Sequence, residues 1–239
     1  MFREVCPACR RPLPVCLCPD DPPMETRTRI VLLTHPKEWK RQRSGTGRLT
    51  SLHLRNCEIV PGLRFDEHPR IRSLLEDPEG YPVLLYPGPG AWNLSEREFP
   101  AEALEGRRLT VFLVDATWAC SRAVLRESPG LGRLPRVMFT PREPSRWVIK
   151  RQPRPECLST LEAVHELLTA LDAAGLDEYP DRTRLLEAFR RMQEIQVECA
   201  RTRGRARFRG YDRADRLLEA EGEAGEPAVD LPELRGVHR

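Results

Sequence analysis

The chain has 239 residues, of which 40% are hydrophobic and 31% charged, with a formal net charge of +3. That length suits one or two domains with a real core. The composition is that of an ordinary globular protein, which excludes the disordered and collagenous classes. No apolar run approaches membrane-spanning length, and the opening MFREVC has no apolar signal-peptide stretch. The chain is therefore read as cytoplasmic, with no membrane partner and with its cysteines reduced.

Lysine occurs only at Lys37, Lys40 and Lys150, so nearly all the positive charge is arginine. Guanidinium forks pair with phosphate and stack on bases, which suits RNA. A GC-rich genome would produce the same bias.

At the N-terminus, Cys6, Cys9, Cys16 and Cys18 read C-x2-C-x6-C-x-C, with prolines bending the chain between them. Four thiolates at this spacing can surround one ion, and zinc takes such a closed set. Two disulfides or an iron–sulfur cluster are the alternatives. Residues 1–25 are read as this module and a proline-rich linker, 26–205 as the main domain, and 206–239 as a basic, then acidic extension.

The main domain opens with a strand, IVLLTH from Ile30 to His35. A helix follows over 47–57, a strand over 57–62 and a short helix over 68–80. YPVLLYPG (81–88) and RRLTVFLVD (107–115) are buried strands, and a helix begins directly after the second. RVMFT (136–140) and SRWVIK (145–150) are read as short extended segments. Residues 158–175 form a strong helix, with Leu161, Val164, Leu167, Leu168 and Leu171 at helical spacing. Another long helix is read from Asp181 to about Arg203. Strands alternating with helices imply an α/β fold with a mostly parallel sheet and flanking helices.

In such a sheet, chemistry sits outside the carboxyl ends of strands. Asp115 ends the strand VFLVD, with Thr117 and Trp118 just beyond. A carboxylate leaving an apolar strand is partly desolvated, which makes it a stronger base. Capping of the next helix is the competing role for Asp115. Ser159 and Glu162 form S-x-x-E, a capping box whose free N–H groups can also hold an anion. LLYPG ends a strand in a turn that is either generic or a surface for a flat ring. Basic residues cluster at Arg41, Arg43 and Arg48, around Trp147 (Arg146, Lys150, Arg151, Arg154), and between Arg201 and Arg213. Each is a solvated face or part of an RNA surface. His35, at the end of the first strand, is read as an RNA or donor contact or a structural hydrogen-bond partner.

DATW at 115–118, followed by PSRWVIKRQPRPECLSTLEA at 144–163, resembles the DTW-domain family, the tRNA-uridine aminocarboxypropyltransferases. THPKE (34–38), TGRL (46–49), LLYPG (84–88) and LSTLEA (158–163) look like its blocks in order, and the match runs from Cys6 to about Leu171. One departure is Ala116, where Gly is common in the family; Ala fits most of the same backbone conformations at negative φ.

The resemblance implies a SPOUT-like fold with a C-terminal trefoil knot, and a similar cysteine set for structural zinc. It implies S-adenosylmethionine as donor of a 3-amino-3-carboxypropyl group, N3 of a tRNA uridine as acceptor, and methylthioadenosine as leaving group. Asp115 is the expected base. Donor contacts are expected at Tyr86, Pro87, Gly88, Thr117, Trp118, Leu158, Ser159, Thr160 and Glu162. The protein is expected to act as a monomer. A SPOUT-like RNA methyltransferase, an rRNA aminocarboxypropyltransferase and a non-enzymatic zinc-containing RNA-binding protein are the rival readings.

Overall fold

The structure, a computed structural model, describes residues 4–202 apart from 42–44, 97, 151–153 and 155. Its six strands are β1 (Arg29–Thr34), β2 (Cys57–Pro61), β3 (Gly80–Leu85), β4 (Trp92–Asn93), β5 (Arg108–Asp115) and β6 (Arg136–Met138). The helices are α1 (Pro36–Arg41), α2 (Thr46–His53), α3 (Pro69–Leu75), α4 (Trp118–Glu127), α5 (Pro129–Gly132), α6 (Thr160–Ala173) and α7 (Arg184–Thr202). The sheet order is β2-β1-β5-β3-β6-β4, and every pairing is parallel. This bears out the α/β reading and makes the sheet wholly parallel.

The apolar runs of β1 and β5 suit strands covered on both faces. Along β1 the side chains alternate. Ile30 and Leu32 pack with Leu113 against Leu161, Val164 and Leu168 of α6 and Phe189 of α7. Val31 and Leu33 pack with Phe112 against Ile71 of α3 and Val124 of α4. The fifth strand in sequence thus sits at the centre of the sheet, between β1 and β3. Its register with β1 places Thr34 opposite Asp115, so the two strands end side by side.

The N-terminal segment joins this core. Leu17 and Met24 are buried in the α6–α7 side of it. Met24 forms a parallel bridge with Leu54, and its N–H donates to the carbonyl of His53 at 2.8 Å.

Some elements depart from the sequence reading. SRWVIK is not a strand. Its backbone is held by side chains instead: the N–H of Arg146 donates to Glu162 Oε1 at 2.6 Å, and that of Val148 to Gln193 Oε1 at 2.7 Å. Side-chain acceptors from α6 and α7 have replaced ladder partners, and no periodicity announces that. RVMFT keeps only Arg136–Met138 as strand. The long last helix starts at Arg184 rather than Asp181, because Asp181 Oδ1 accepts the N–H groups of Thr183 and Arg184 from outside it.

The capping box expected at Ser159 is present, and it does more than cap. Glu162 Oε2 accepts from the Ser159 N–H at 2.8 Å and from Ser145 Oγ at 2.9 Å, while Oε1 takes the Arg146 N–H. One buried carboxylate thus ties the loop before α6 to its first turn. Glu162→Ala would leave those donors unpaired and is expected to cost on the order of 3 kcal/mol. Denaturant unfolding of the variant beside the parent protein measures this.

Candidate functional site

The site forms where β1, β5, α2 and α6 converge. Asp115 is the last residue of β5. Its Oδ1 accepts from Thr160 Oγ1 at 2.6 Å, and its Oδ2 from Thr34 Oγ1 at 3.2 Å. Thr160 opens α6, and Thr34 is the strand partner fixed by register. The carboxylate is therefore held by hydroxyls from two elements, with lone pairs to spare on both oxygens.

Capping, the competing role for Asp115, belongs to Thr117 instead. Its hydroxyl accepts the N–H of Cys120 at 3.4 Å and caps α4. Asp115 is left for the cleft. Burial raises its carboxyl above the ordinary range, opposed by the hydrogen bonds from Thr160 and Thr34 and by the charge of Lys150. The direction is that of a carboxylate readied to take a proton.

Gly47, in the first turn of α2, leaves room for this group. A Cβ there would collide with Asp115 Oδ2. The cleft in front of Asp115 is lined by Thr34, Trp39, Gly45, Thr46 and Arg48, and holds about 360 Å³ counted out to solvent. Trp39, Thr34 and Gly47 had not been singled out from sequence. The block resemblances at 34–38 and 46–49 contain all but Trp39, which lies one residue past the first.

The guanidinium of Arg48 lies over the Trp39 ring at 4.5 Å, and that of Arg10 at 5.3 Å. Arg10 sits in the cysteine module with φ of 59°, in the left-handed turn between Cys9 and the last two cysteines. Its N–H donates to the Cys6 carbonyl at 2.9 Å, and the Cys6 N–H to the Arg11 carbonyl at 2.8 Å. The module therefore reaches the rim of the cleft.

Within the module, the sulfurs of Cys6, Cys9, Cys16 and Cys18 all lie within 4.8 Å of one another. Cys6 and Cys18 are 3.6 Å apart, and Cys9 and Cys16 3.5 Å. A disulfide needs about 2.05 Å. Four sulfurs about 2.3 Å from one central ion would instead be spaced about 3.8 Å apart. The observed spacing fits a four-thiolate metal site. The N–H of Cys9 leads in lowering the Cys6 thiol to about 6, while burial pushes those of Cys16 and Cys18 up. Thiolates this close repel, and a dication among them removes the repulsion.

The remaining expected residues are spread around this centre. Tyr86 follows β3 and carries the Arg136 guanidinium 5.9 Å from its ring. Gly88 has a φ of 154°. Leu158 and Ser159 precede α6, with Ser159 and Glu162 buried in the capping box. His35 is buried at the end of β1, its carbonyl accepting the Trp39 N–H at 3.0 Å. Trp147 packs edge-on against Phe189, with centroids 4.8 Å apart and Lys150 Nζ 4.8 Å from its ring. The Arg146 side chain is exposed and pairs with Glu143 at 2.8 Å, and Arg154 is exposed. Arg43, Arg151 and everything beyond 202 lie outside the described residues, as do the side chains of Arg41 and Trp118.

Gly47→Ala tests the close approach to Asp115. The added methyl would displace the carboxylate rather than a flexible neighbour. The fold should survive, because Ala favours a helix, and Asp115-dependent turnover should fall by at least tenfold. Circular dichroism alongside a rate assay separates the two effects.

The model of the DTW domain matches residues 3–197. A tRNA-uridine aminocarboxypropyltransferase 2 from Drosophila melanogaster is 33% identical over 177 residues, covering 72% of this chain and 68% of that protein. The protein of the same name from Mus musculus is 32% identical over 174 residues, covering 71% of this chain but only 57% of its own length. A tRNA-uridine aminocarboxypropyltransferase A from Arabidopsis thaliana is 28% identical over 200 residues, 72% of this chain and 74% of that protein. No solved structure gives a significant match. With the DTW model spanning most of its length and Asp115 at the head of the DATW block facing the cleft, this chain belongs to the DTW-domain family.

Proposed function

We propose that this chain is a tRNA-uridine aminocarboxypropyltransferase. It moves the 3-amino-3-carboxypropyl group of S-adenosylmethionine to N3 of a tRNA uridine and releases methylthioadenosine. The observation that carries the reading is the half-buried Asp115 carboxylate, raised by desolvation and facing a cleft at the end of the central strand. The names of the relatives support the substrate and the transferred group.

Uridine N3–H is a weak acid, so attack by N3 needs a base within reach. In this reading Asp115 takes the N3 proton while Thr34 and Thr160 keep its carboxylate aimed. The N3 electron pair then forms a bond to the sulfonium-bound carbon of the aminocarboxypropyl arm. The carbon–sulfur bond breaks, its electrons pass to sulfur, and a neutral thioether leaves. All three carbons on the sulfonium are electrophilic, so the product depends on which one lies in line with N3.

The donor is assigned to the turn of Tyr86, Pro87 and Gly88, to Thr117 and Trp118, and to the segment of Leu158, Ser159, Thr160 and Glu162. tRNA is assigned to His35, Arg41, Arg43, Arg48, Arg146, Trp147, Lys150, Arg151 and Arg154. We read the chain as a cytoplasmic monomer of SPOUT-like topology, with a C-terminal trefoil knot.

Zinc is assigned to Cys6, Cys9, Cys16 and Cys18, on the sulfur spacing. Bound there, it would supply folding energy to a segment too short to have its own core. Protein purified without added metal should contain about one zinc per chain. Chelation should expose four titratable thiols and loosen residues 4–18 while the sheet stays folded. Elemental analysis, thiol titration and hydrogen exchange check this.

Incubation with donor and unmodified tRNA, followed by nucleoside mass spectrometry, tests the activity. Methylthioadenosine as co-product supports the reading, and adenosylhomocysteine would make the chain a methyltransferase. Asp115→Asn should slow transfer by about 10²–10⁴-fold, with donor and tRNA still bound.

The same variant carries a stability prediction. A carboxyl raised in the folded state makes the protein bind more protons folded than unfolded, so its ionisation costs stability as pH rises. Asp115→Asn removes that cost and should melt no lower than the parent at pH 7. The difference should fade as the pH falls through the raised carboxyl's titration, where Asp115 is itself neutral.

A further inference from the structure

Arg48 lines the same cleft as Asp115, from the first turn of α2. Its guanidinium stacks on Trp39 at 4.5 Å; among the described residues its Nε, sealed from solvent, has no hydrogen-bond partner and the side chain makes no ion pair. A guanidinium N–H buried without an acceptor is costly to keep. Neutralisation by Asp115 would be the simplest remedy, yet the charge that acts on Asp115 is that of Lys150. A base and a cation with no ion pair among the described residues thus line one cleft.

That pairing matches what uridine needs. When N3 loses its proton, the negative charge spreads onto the carbonyl oxygens on either side. A donor at one of those oxygens lowers the cost of the anion, as an oxyanion hole does. This inference rests on the transfer reaction proposed above. We propose that Arg48 is a catalytic residue of that reaction: its guanidinium, held on Trp39, donates a hydrogen bond to a carbonyl oxygen beside N3 and stabilises the anion that Asp115 creates. Asp115 carries the proton, Arg48 carries the developing charge, and no further co-reactant enters. The rival role for Arg48 is a contact to a tRNA phosphate.

The other charged and titratable groups near these two are Lys150 before α6, Cys57 at the start of β2, and Arg10 and Cys9 of the N-terminal module. The test therefore changes the acidity of the substrate rather than that of any protein group. Full-length, zinc-loaded Arg48→Gln and Arg48→Lys are compared with the parent on tRNA transcribed with uridine and on tRNA transcribed with 5-fluorouridine, whose N3–H is more acidic. Arg48→Lys keeps the charge and most of the stem, so it reads the role even if Arg48→Gln folds poorly; thermal melts of both identify that case.

On ordinary tRNA, kcat should fall by about 10²-fold, with the rising pH limb moved to higher pH. On 5-fluorouridine tRNA most of that loss should be recovered. The dependence of tRNA affinity on salt should stay unchanged. Loss of affinity with a log–log salt slope smaller by about one, and no recovery on the fluorinated tRNA, would make Arg48 a phosphate contact and overturn the proposal. Loss of donor binding in both variants would overturn it as well, in favour of a ligand to the donor's carboxylate. If the parent protein forms no aminocarboxypropyl-uridine on either tRNA, the transfer reading itself fails, and that outcome is distinct from parent activity that Arg48 does not affect.

Discussion

Holding one partly desolvated carboxylate at the end of the central strand is the constraint around which this site is organised. Asp115 is desolvated by its surroundings and compensated by two threonine hydroxyls. Each hydroxyl requires its own element in register: Thr34 through the β1–β5 pairing, and Thr160 through the placement of α6. Gly47 supplies the third condition, since any side chain there would collide with the carboxylate. Strand register, helix position and a missing Cβ thus converge on a single functional group.

The segment between β6 and α6 shows how irregular chain can be held as firmly as a strand. The Glu162 carboxylate takes donors from Ser145, Arg146 and Ser159. Gln193 of α7 closes the other side, accepting from the Val148 N–H and donating to the Arg146 carbonyl at 3.0 Å. These bonds satisfy backbone groups that would otherwise be lost on leaving the sheet. They also fix Trp147 and Lys150 beside the site, and Lys150 is the charge felt by Asp115.

The sequence carried the parts of this architecture that depend on periodicity. The buried apolar runs of β1, β3 and β5 and the spacing of Leu161, Val164 and Leu168 were legible because burial on a strand or helix face leaves a repeating signature. Asp115 was legible because a charge ends an apolar run. The cysteine cluster was legible from spacing alone. What periodicity does not encode was missed. SRWVIK has the composition of a strand but finds side-chain acceptors instead of a ladder. Trp39 lies on a six-residue helix too short to show a pattern, and its role comes from guanidinium groups supplied by two distant segments. The division of labour between Asp115 and Thr117 could not be read either, since both residue types cap helices and only the hydrogen bonds distinguish them.

The central place of β5 has a consequence for synthesis. β1 and β3 flank it on either side, so neither can complete its pairing until residues 108–115 have left the ribosome. Until then the nascent chain exposes unpaired apolar strand edges of the kind that recruit other chains. The site matures later still, because Thr160 arrives some forty-five residues after Asp115. A prematurely terminated chain ending before α6 would hold all six strands yet leave one face of the sheet uncovered and the carboxylate without its shorter hydrogen bond, so partial products of this gene are expected to be sticky and inactive rather than partly functional.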